Sequence, residues 1–442
     1  MKFTSLLLLI CALAFTKVNA QENSNLTLHQ AVTLALSQGN RSKIAENKIS
    51  IAKGELNSVK NNVYPDFKIS GQYQYLTGAN VDLKLNTGSS NENDNATESP
   101  NVNRLLLGQA TLSMPLVSGF KLKNLVKASE NTYQAATFYA KNDQEQIALQ
   151  TIKDFTELYT SRHAIQLIEE NLISAQQRVK DFTAMEENGL LAKNDLLKAT
   201  IQEAKISISL EEAKKNAYIL NYQLVTNLNL PETTLIVIPD TDFDILQNLN
   251  PTAPTNDSIQ RNDLQALHYQ ELAAEHQIKV VKSKYYPSIS LVGGYTSLDL
   301  NNALTVTNAM NFGLGISYNI ADIFKTKSDV KVAESKAKEL QYTLHMTTDN
   351  AKVQIENATQ EYQLALRKFE VYTRSEEQAL ENYRIVNDKY NNGLVDTNDL
   401  LEADIQQLQS KIDLSYSKVA ITQKYYELLA AKGQLTNKFQ LK

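Results

Sequence analysis

Side chains capable of acid–base, nucleophilic or metal chemistry are scattered along this chain and form no recognisable catalytic motif. No two of the five histidines have the His-Glu-x-x-His spacing of a zinc protease: His29, His163, His268, His276 and His345. The sequence also lacks a Gly-x-Ser-x-Gly elbow, a phosphate-binding loop and a dinucleotide fingerprint. Carboxylate pairs such as Glu169-Glu170 and Glu376-Glu377 lie in polar stretches, where such pairs are normally solvated. We therefore predict no enzymatic activity, no cofactor and no metal site.

The clearest pattern in the chain is a duplication. A Gly-Leu pair followed six residues later by Asp-Leu-Leu occurs at Gly189 and again at Gly393, at an offset of 204 residues. A Tyr-Pro pair at residues 64–65 returns at residues 286–287, at an offset of 222. A repeat of this kind indicates two structurally equivalent halves. Because the offset falls by 18 between the two landmarks, the first copy carries additional residues, which fit best in the polar stretch Thr77–Asn103.

The first 20 residues have the composition of a secretory signal peptide, with Lys2, an apolar run and a small-residue cleavage site at residues 18–20. Cys11 lies in the apolar run and follows Ile10, which disfavours lipid attachment. The predicted mature chain lacks cysteine, which excludes a disulfide scaffold and a thiol enzyme. The net charge is −5, or −7 after loss of the two signal lysines, which disfavours nucleic acid as a partner.

Long stretches without helix-breaking residues occupy much of each half. Between Gly119 and Pro231 the only glycine is Gly189, and a similar stretch after Gly315 is broken at Gly393. We predict in each half a very long helix, a turn at the Gly-Leu motif and a second helix that returns.

The second of these long helices carries an apolar seam from Val330 to Tyr390, with steps of three and four residues as in a coiled coil. One four-four step, from Gln354 through Ala358 to Tyr362, interrupts the pattern. An ordered seam of this length needs other helices to cover it, so we predict helix packing and not a solvated single helix.

Four segments show the alternation of β-strands, with two in each half. They are Phe67–Tyr75, Leu106–Met114, Ile289–Tyr295 and Met310–Ile320. Each has one apolar face and roughly the 9–11 residues of a tilted transmembrane strand. No segment approaches the roughly 18 apolar residues of a spanning helix, so entry into a membrane would have to use these strands.

Four strands cannot close a barrel by themselves. An open edge in lipid leaves backbone donors and acceptors unsatisfied, at several kcal/mol each. Membrane strands would therefore be pooled by several chains, as a dimer or a trimer. The alternative is a soluble α+β protein whose hairpins cover the helical seams, although the tyrosines of the apolar faces are typical of an aromatic girdle.

The signal peptide, the tandem halves, the Tyr-Pro hairpins and the Gly-Leu turns followed by Asp-Leu-Leu resemble the TolC family of outer-membrane efflux channels, over about residues 26–435. The resemblance implies an α+β membrane protein that forms a homotrimer. Its twelve-stranded outer-membrane β-barrel, with four strands per chain, would continue into a long periplasmic α-helical coiled-coil barrel. The resemblance thus implies location in the outer membrane, in contact with outer-membrane lipid, with a large periplasmic part.

The predicted organisation is a signal peptide (1–20), a first repeat (21–230), an inter-repeat linker (231–258) and a second repeat (259–442). The hairpins are expected at about 66–116 and 288–321, and the helical turns near 189 and 393.

In this family the periplasmic tips meet an adaptor protein that connects them to an inner-membrane transporter. The resemblance implies an exit channel of a tripartite efflux or secretion system, with a proton-driven pump preferred to an ATP-driven exporter as the transporter. A periplasmic coiled-coil scaffold or adaptor without a pore is the alternative. Matches to the docking tips are Gly189, Leu190, Leu191, Gly393, Leu394 and Val395. In the competing interpretation, the leucines only close the turns.

The resemblance also assigns a periplasmic aperture. Asp399 and Glu402 match acidic residues that face the pore, where three copies would form carboxylate rings that attract cations. The alternative is a solvated acidic face near a helix N-terminus. Asp195 and Tyr390 match a hydrogen-bonded latch between the copies, but Val395 stands where the best-known pattern has an arginine. We therefore expect this aperture to open more easily than one whose latch contains that arginine.

Overall fold

The computed structural model describes residues 23–80, 101–240, 243 and 261–439. The predicted signal peptide and most of the predicted linker lie outside these residues. The described chain divides into two compact units. Among its helices, none is long and apolar enough to cross a membrane.

The secondary structure has the predicted two-part pattern of hairpins and long helices. The helices are α1 (Leu28–Gln38), α2 (Asn40–Asn61), α3 (Lys121–Glu187), α4 (Lys193–Asn227), α5 (Asn262–Lys282), α6 (Asp322–Asn391), α7 (Thr397–Ala431) and α8 (Leu435–Lys438). The strands are β1 (Asn23–Asn25), β2 (Asp66–Asn80), β3 (Asn101–Ser118), β4 (Leu235–Val237), β5 (Ser288–Leu300) and β6 (Leu304–Ser317).

The two longest helices, α3 with 67 residues and α6 with 70, contain neither glycine nor proline. Each ends at a Gly-Leu turn and is followed by a returning helix of 35 residues. The predicted succession of long helix, turn and returning helix is therefore confirmed in both copies.

The predicted seam of α6 is covered along its length. The seam residues, which follow one another at steps of three and four from Val330 to Tyr390, are buried or half-buried. Ala351 and Tyr362 are among the most deeply buried of them. The exception is Gln354, which is exposed and accepts a hydrogen bond from Arg261 Nη1 at 2.7 Å. This polar residue belongs to the step at which the three-four spacing is interrupted.

The first unit comprises described residues within 1–48, 137–265 and 345–442. Its buried core includes an aromatic group from two parts of the chain. The rings of Tyr159 of α3 and of Phe243 lie 4.1 Å apart, and Phe155 of α3 stacks on Phe243 at 6.4 Å. Beside this core, β1 pairs in parallel with β4, and Ser24 lies opposite Ile236. The sequence pattern did not predict this pair, because each strand has only three residues.

A buried carboxylate fastens the C-terminal segment within the first unit. Glu145 of α3 accepts hydrogen bonds from the backbone N–H groups of Leu435 and Thr436, at 3.0 and 3.1 Å, and from the Thr436 hydroxyl at 2.5 Å. Glu145 is only 3% exposed, so these donors replace the water that a carboxylate otherwise requires.

The second unit comprises residues 49–136 and 266–344 and contains an antiparallel sheet in the order β2-β3-β5-β6. Its register aligns the apolar positions of all four strands: Phe67 pairs with Leu112, Leu112 with Gly293, and Gly293 with Phe312. Residues directly opposite one another share a face. The predicted alternation therefore produces one continuous apolar face, and the outer strands expose it strongly, at 63% for Phe67 and 77% for Phe312.

The hairpins differ in the way their strands are connected. Residues 81–100, between β2 and β3, lie outside the described chain, whereas β5 and β6 are separated only by residues 301–303. The second hairpin is also shorter than predicted, because β6 ends at Ser317 and not at residue 321. The side chain of Asn319 accepts a hydrogen bond from the Ala321 N–H at 3.2 Å, which turns the chain toward α6.

Candidate functional site

The predicted docking tip of the first copy is a tight helix terminus in which Gly189 has a left-handed backbone with φ of 71°. The N–H of Gly189 donates to the carbonyl of Glu186, and that of Leu190 donates to the carbonyl of Met185, both at 2.8 Å. These two bonds define a Schellman motif, which satisfies carbonyls at the end of a helix. Glycine is favoured here because at a positive φ a Cβ atom would lie too close to the backbone carbonyl oxygen.

The second tip repeats this geometry. Gly393 has φ of 69°, and Gly393 and Leu394 donate to Tyr390 and Lys389, both at 2.9 Å. The following helix begins differently in the two copies. Asp396 caps α7 by accepting from the N–H groups of Asn398 and Asp399, whereas Ala192 precedes α4 without a side-chain cap. The duplicated turns are therefore equivalent, but the helix starts after them are not.

The tip leucines have different surroundings. Leu190 is 74% exposed and Leu394 is 72% exposed, so each presents an apolar side chain to solvent. Leu191 is half-buried and packs against a small cluster that includes Phe182 and Ala199. Leu190 and Leu394 are thus available for docking, whereas Leu191 closes the turn.

An open groove of about 1150 Å³ lies between the two tips. Its lining combines apolar side chains with charged and polar ones: Phe182, Met185, Leu190, Leu191, Tyr390 and Val395 on the one hand, and Arg178, Lys180 and Asp181 on the other. The groove brings together residues of both copies that the sequence places about 200 positions apart.

The predicted aperture residues, Asp399 and Glu402, are both exposed in the first turns of α7. Asp399 Oδ2 accepts from the N–H of Asp396 at 3.4 Å and completes a capping box. Glu402 accepts from the side chain of Gln406 at 3.3 Å. Asp399 therefore stabilises the start of the helix, and its carboxylate and that of Glu402 remain open to solvent.

The predicted latch residues, Asp195 and Tyr390, have other partners in the structure. Asp195 forms an ion pair with Lys198 of its own helix at 3.2 Å. The Tyr390 hydroxyl lies 3.5 Å from the Thr397 hydroxyl, and its ring stacks on Phe182 with 5.8 Å between centroids. The side chains are therefore engaged separately, and the predicted hydrogen bond between them is not formed in this structure.

A different pair of residues joins the copies. Arg178 of α3 donates to Asp404 of α7 at 2.8 Å and to the hydroxyl of Tyr383 of α6 at 3.2 Å. Asn171 donates to the other Asp404 oxygen at 3.4 Å. The side chains of Arg178 and Asp404 are only 9% and 4% exposed. Burial lowers the pKa of Arg178, but its hydrogen bond and charge interaction with Asp404 outweigh this effect and leave the pKa above its ordinary value.

Sequence reasoning missed this link, although one signal was present. Asp404 follows Leu400 by four residues and thus falls on the apolar face of α7, where a carboxylate needs a partner. Nothing in the local sequence identifies Arg178 as that partner. In the described chain, no group of three or more His, Cys, Asp or Glu side chains could hold a metal ion.

Comparison with known proteins gives a match to one family model over part of the chain, and a shared fold with solved structures. Residues 257–434 match the family model described as outer membrane efflux protein. No curated protein sequence matches the chain.

Several solved structures share the fold over most of their length. CusC, described in terms of transmembrane channel formation, has a TM-score of 0.75 at 17% identity, over 92% of each chain. The CmeC outer membrane channel of Campylobacter jejuni has a TM-score of 0.74 at 16% identity, over 95% of this chain and 90% of CmeC. The MtrE channel of Neisseria gonorrhoeae, described in an open state, has 0.70 at 15% identity, over 92% and 89%. At these identities the likeness shows a shared fold.

Proposed function

We propose that this chain is the outer-membrane exit channel of a tripartite efflux or secretion system. Its residues 257–434 match the outer membrane efflux protein family. The observation that carries the proposal is the exposed apolar face of the β2-β3-β5-β6 sheet. On its outer strands, Ile69 is 75% exposed and Met310 is 79% exposed. An apolar surface of this kind is unfavourable in water and favourable in lipid.

The edges of the same sheet support a homotrimer. Within the described chain, β2 and β6 each pair on one side only, so the sheet has two open edges. In lipid an unpaired edge is costly, because no water satisfies its backbone groups. Three copies joined edge to edge would close a barrel of twelve strands, as the family resemblance implies.

The tips support an adaptor as partner. Leu190 and Leu394 are exposed beside the groove that contains residues of both copies. Burying one leucine contributes about 1.5–3 kcal/mol, so these exposed leucines are suited to contribute to docking. A periplasmic adaptor would connect the channel to an inner-membrane transporter. Because the sequence has no nucleotide-binding motif, that partner supplies the energy, and a proton-driven pump is our preferred candidate.

We assign the aperture to Asp399 and Glu402, whose carboxylates are exposed at the start of α7. Three copies would place six carboxylates close together, and this ring would attract cations. We retain the latch formed by Asp195 and Tyr390 as a contact of another state of the tips, because each is held here by a weak or exposed interaction that a rearrangement could break.

Cell fractionation tests the proposal. The expected result is a heat-modifiable, detergent-dependent trimer in the outer-membrane fraction that forms pores in planar bilayers. A monodisperse soluble species, purified without detergent and without pore activity, would instead indicate a periplasmic coiled-coil scaffold or adaptor.

A further inference from the structure

The sheet meets the helices at four junctions, and each carries an exposed aromatic ring. The rings of Tyr64, Phe120, Tyr286 and Phe324 are 69%, 72%, 60% and 79% exposed. The register places these junctions at one end of the sheet, because Ser118 at the end of β3 lies opposite Ser288 at the start of β5, which in turn lies opposite Ser317.

Two of the junctions repeat a short motif. Phe120-Lys121-Leu122-Lys123 begins α3, and Phe324-Lys325-Thr326-Lys327 occupies the first turn of α6, at the same offset of 204 that relates the helical tips. The four lysines of these motifs are exposed, and none forms an ion pair among the described residues. Nearby lysines are different, because Lys282 and Lys284 pair with Glu334 and Asp329. The Phe-Lys-x-Lys lysines are therefore unneutralised cations beside exposed rings.

The backbone at Phe120 is held in an unusual conformation, although the ring of this residue is exposed. Phe120 has φ of 62°, a left-handed conformation that is unusual for a bulky residue. The preceding Gly119 is also left-handed, and a Cβ atom there would lie 2.8 Å from the carbonyl oxygen of Ser283. The Phe120 carbonyl accepts hydrogen bonds from the N–H and the side chain of Asn124. The junction is thus tightly specified, yet it directs a phenyl ring into solvent.

We propose that these junctions form a collar that binds the anionic headgroups of the periplasmic phospholipid leaflet. The collar consists of Tyr64, Phe120, Lys121, Lys123, Tyr286, Phe324, Lys325 and Lys327. Aromatic rings at the depth of the headgroups and lysines beside phosphate groups are favourable at a membrane interface. Of the carboxylates close to these lysines in the sequence, Asp329 is already paired with Lys284 at 2.9 Å, and Asp322 accepts a hydrogen bond from Asn319 at 3.0 Å. Asp66 follows the Tyr64 junction. The four lysines therefore leave a net positive charge.

This inference rests on the proposed function, because a lipid leaflet reaches the collar only if the sheet lies in the outer membrane. Native mass spectrometry of the full mature protein, purified in detergent with equal amounts of phosphatidylglycerol and phosphatidylcholine, tests it. Wild-type protein should retain phosphatidylglycerol with a preference of at least about fivefold, the ratio expected if one lysine contributes as at an anionic membrane surface. The preference should decrease as the salt concentration rises.

The collar variant replaces Lys121, Lys123, Lys325 and Lys327 by glutamine and should lose the preference. The control variant replaces the exposed lysines Lys193, Lys205, Lys215 and Lys389 by glutamine, which removes the same charge from the first unit, and should keep it. Equal retention of both lipids by a membrane-embedded wild-type protein, or the same loss in both variants, would overturn the collar alone. A wild-type protein that is absent from membranes would overturn the proposed function as well.

Discussion

Arg178 and Asp404 form a buried ion pair, with 2.8 Å between guanidinium nitrogen and carboxylate oxygen, that joins the first copy of the repeat to the second. The two residues lie 226 positions apart, on α3 and α7. A buried pair resists separation, because each partner left alone would be an unsolvated charge. Any opening of the tips that separates these helices would have to break this contact.

We predict that Asp404→Leu lowers the free energy of unfolding by about 3–5 kcal/mol, because it leaves the Arg178 guanidinium buried without its partner. Denaturant unfolding of purified protein measures this. The double variant Arg178→Met/Asp404→Leu should recover much of the loss, since neither charge remains. As a control, Lys214→Met breaks an exposed pair with Glu169 and should cost at most about 1 kcal/mol. Equal effects of Asp404→Leu and Lys214→Met would contradict the prediction.

The left-handed glycines of the tips should tolerate alanine poorly. Gly189→Ala and Gly393→Ala should each destabilise the protein by about 1–2 kcal/mol, because of the positive φ alone. Apart from the adjoining residues, no atom lies within 4 Å of a Cβ placed at either position, so contact with the rest of the protein does not contribute. Gly54 is a matched control: it is equally open but lies inside α2. Gly54→Ala should stabilise by about 0.5–1 kcal/mol, and thermal unfolding should show the opposite signs.

Substitution of the exposed tip leucines should weaken adaptor binding, whereas substitution of the packed leucine should lower stability. Leu190→Ser and Leu394→Ser should weaken binding to the cognate adaptor about tenfold or more, as expected from loss of one buried leucine contact. Their thermal midpoints should stay at the wild-type value. Leu191→Ala should instead lower stability by about 1–2 kcal/mol, less than for a fully buried leucine. Unchanged adaptor affinity in the Leu190→Ser and Leu394→Ser variants, measured by surface plasmon resonance, would argue against docking at the tips.

The aperture carboxylates should determine ion preference. Asp399→Asn with Glu402→Gln removes both charges and leaves oxygens that accept hydrogen bonds, so the capping box at Asp396 is retained. We expect reconstituted trimers of this variant to lose cation preference and block by divalent ions. Glu211→Gln with Glu212→Gln, on α4 and away from the turn, is the control for charge alone. If planar-bilayer recordings give the same selectivity for wild type and the aperture variant, the assignment is wrong.

The C-terminal segment should depend on Glu145. Glu145→Gln replaces the buried carboxylate by a weaker acceptor and should cost about 1.5–3 kcal/mol, the range for a hydrogen bond to a charged group. Hydrogen exchange at the amides of Leu435 and Thr436 should accelerate with it. Thr436→Val removes only the hydroxyl donor and should cost about 1 kcal/mol. Exchange at wild-type rates in Glu145→Gln would show that other contacts hold the segment.

The sequence by itself determined the local elements of this protein. Uninterrupted helical stretches, the break at each Gly-Leu pair and the alternation of apolar residues near Phe67 and Phe312 depend only on near neighbours in the chain. A helix repeats every 3.6 residues and a strand every two, so their patterns can be read without knowledge of the packing. For the same reason, the glycine turns could be predicted from the duplicated motif alone.

Only the tertiary structure decided which side chains meet. The rotation and register of packed helices determine that Arg178 reaches Asp404 and that Asp195 bonds to Lys198 instead of Tyr390. They also determine that Leu190 is exposed while its neighbour Leu191 is packed. Such contacts join residues far apart in the chain, and their geometry changes with a small turn of one helix against another. Local periodicity contains no information about that turn.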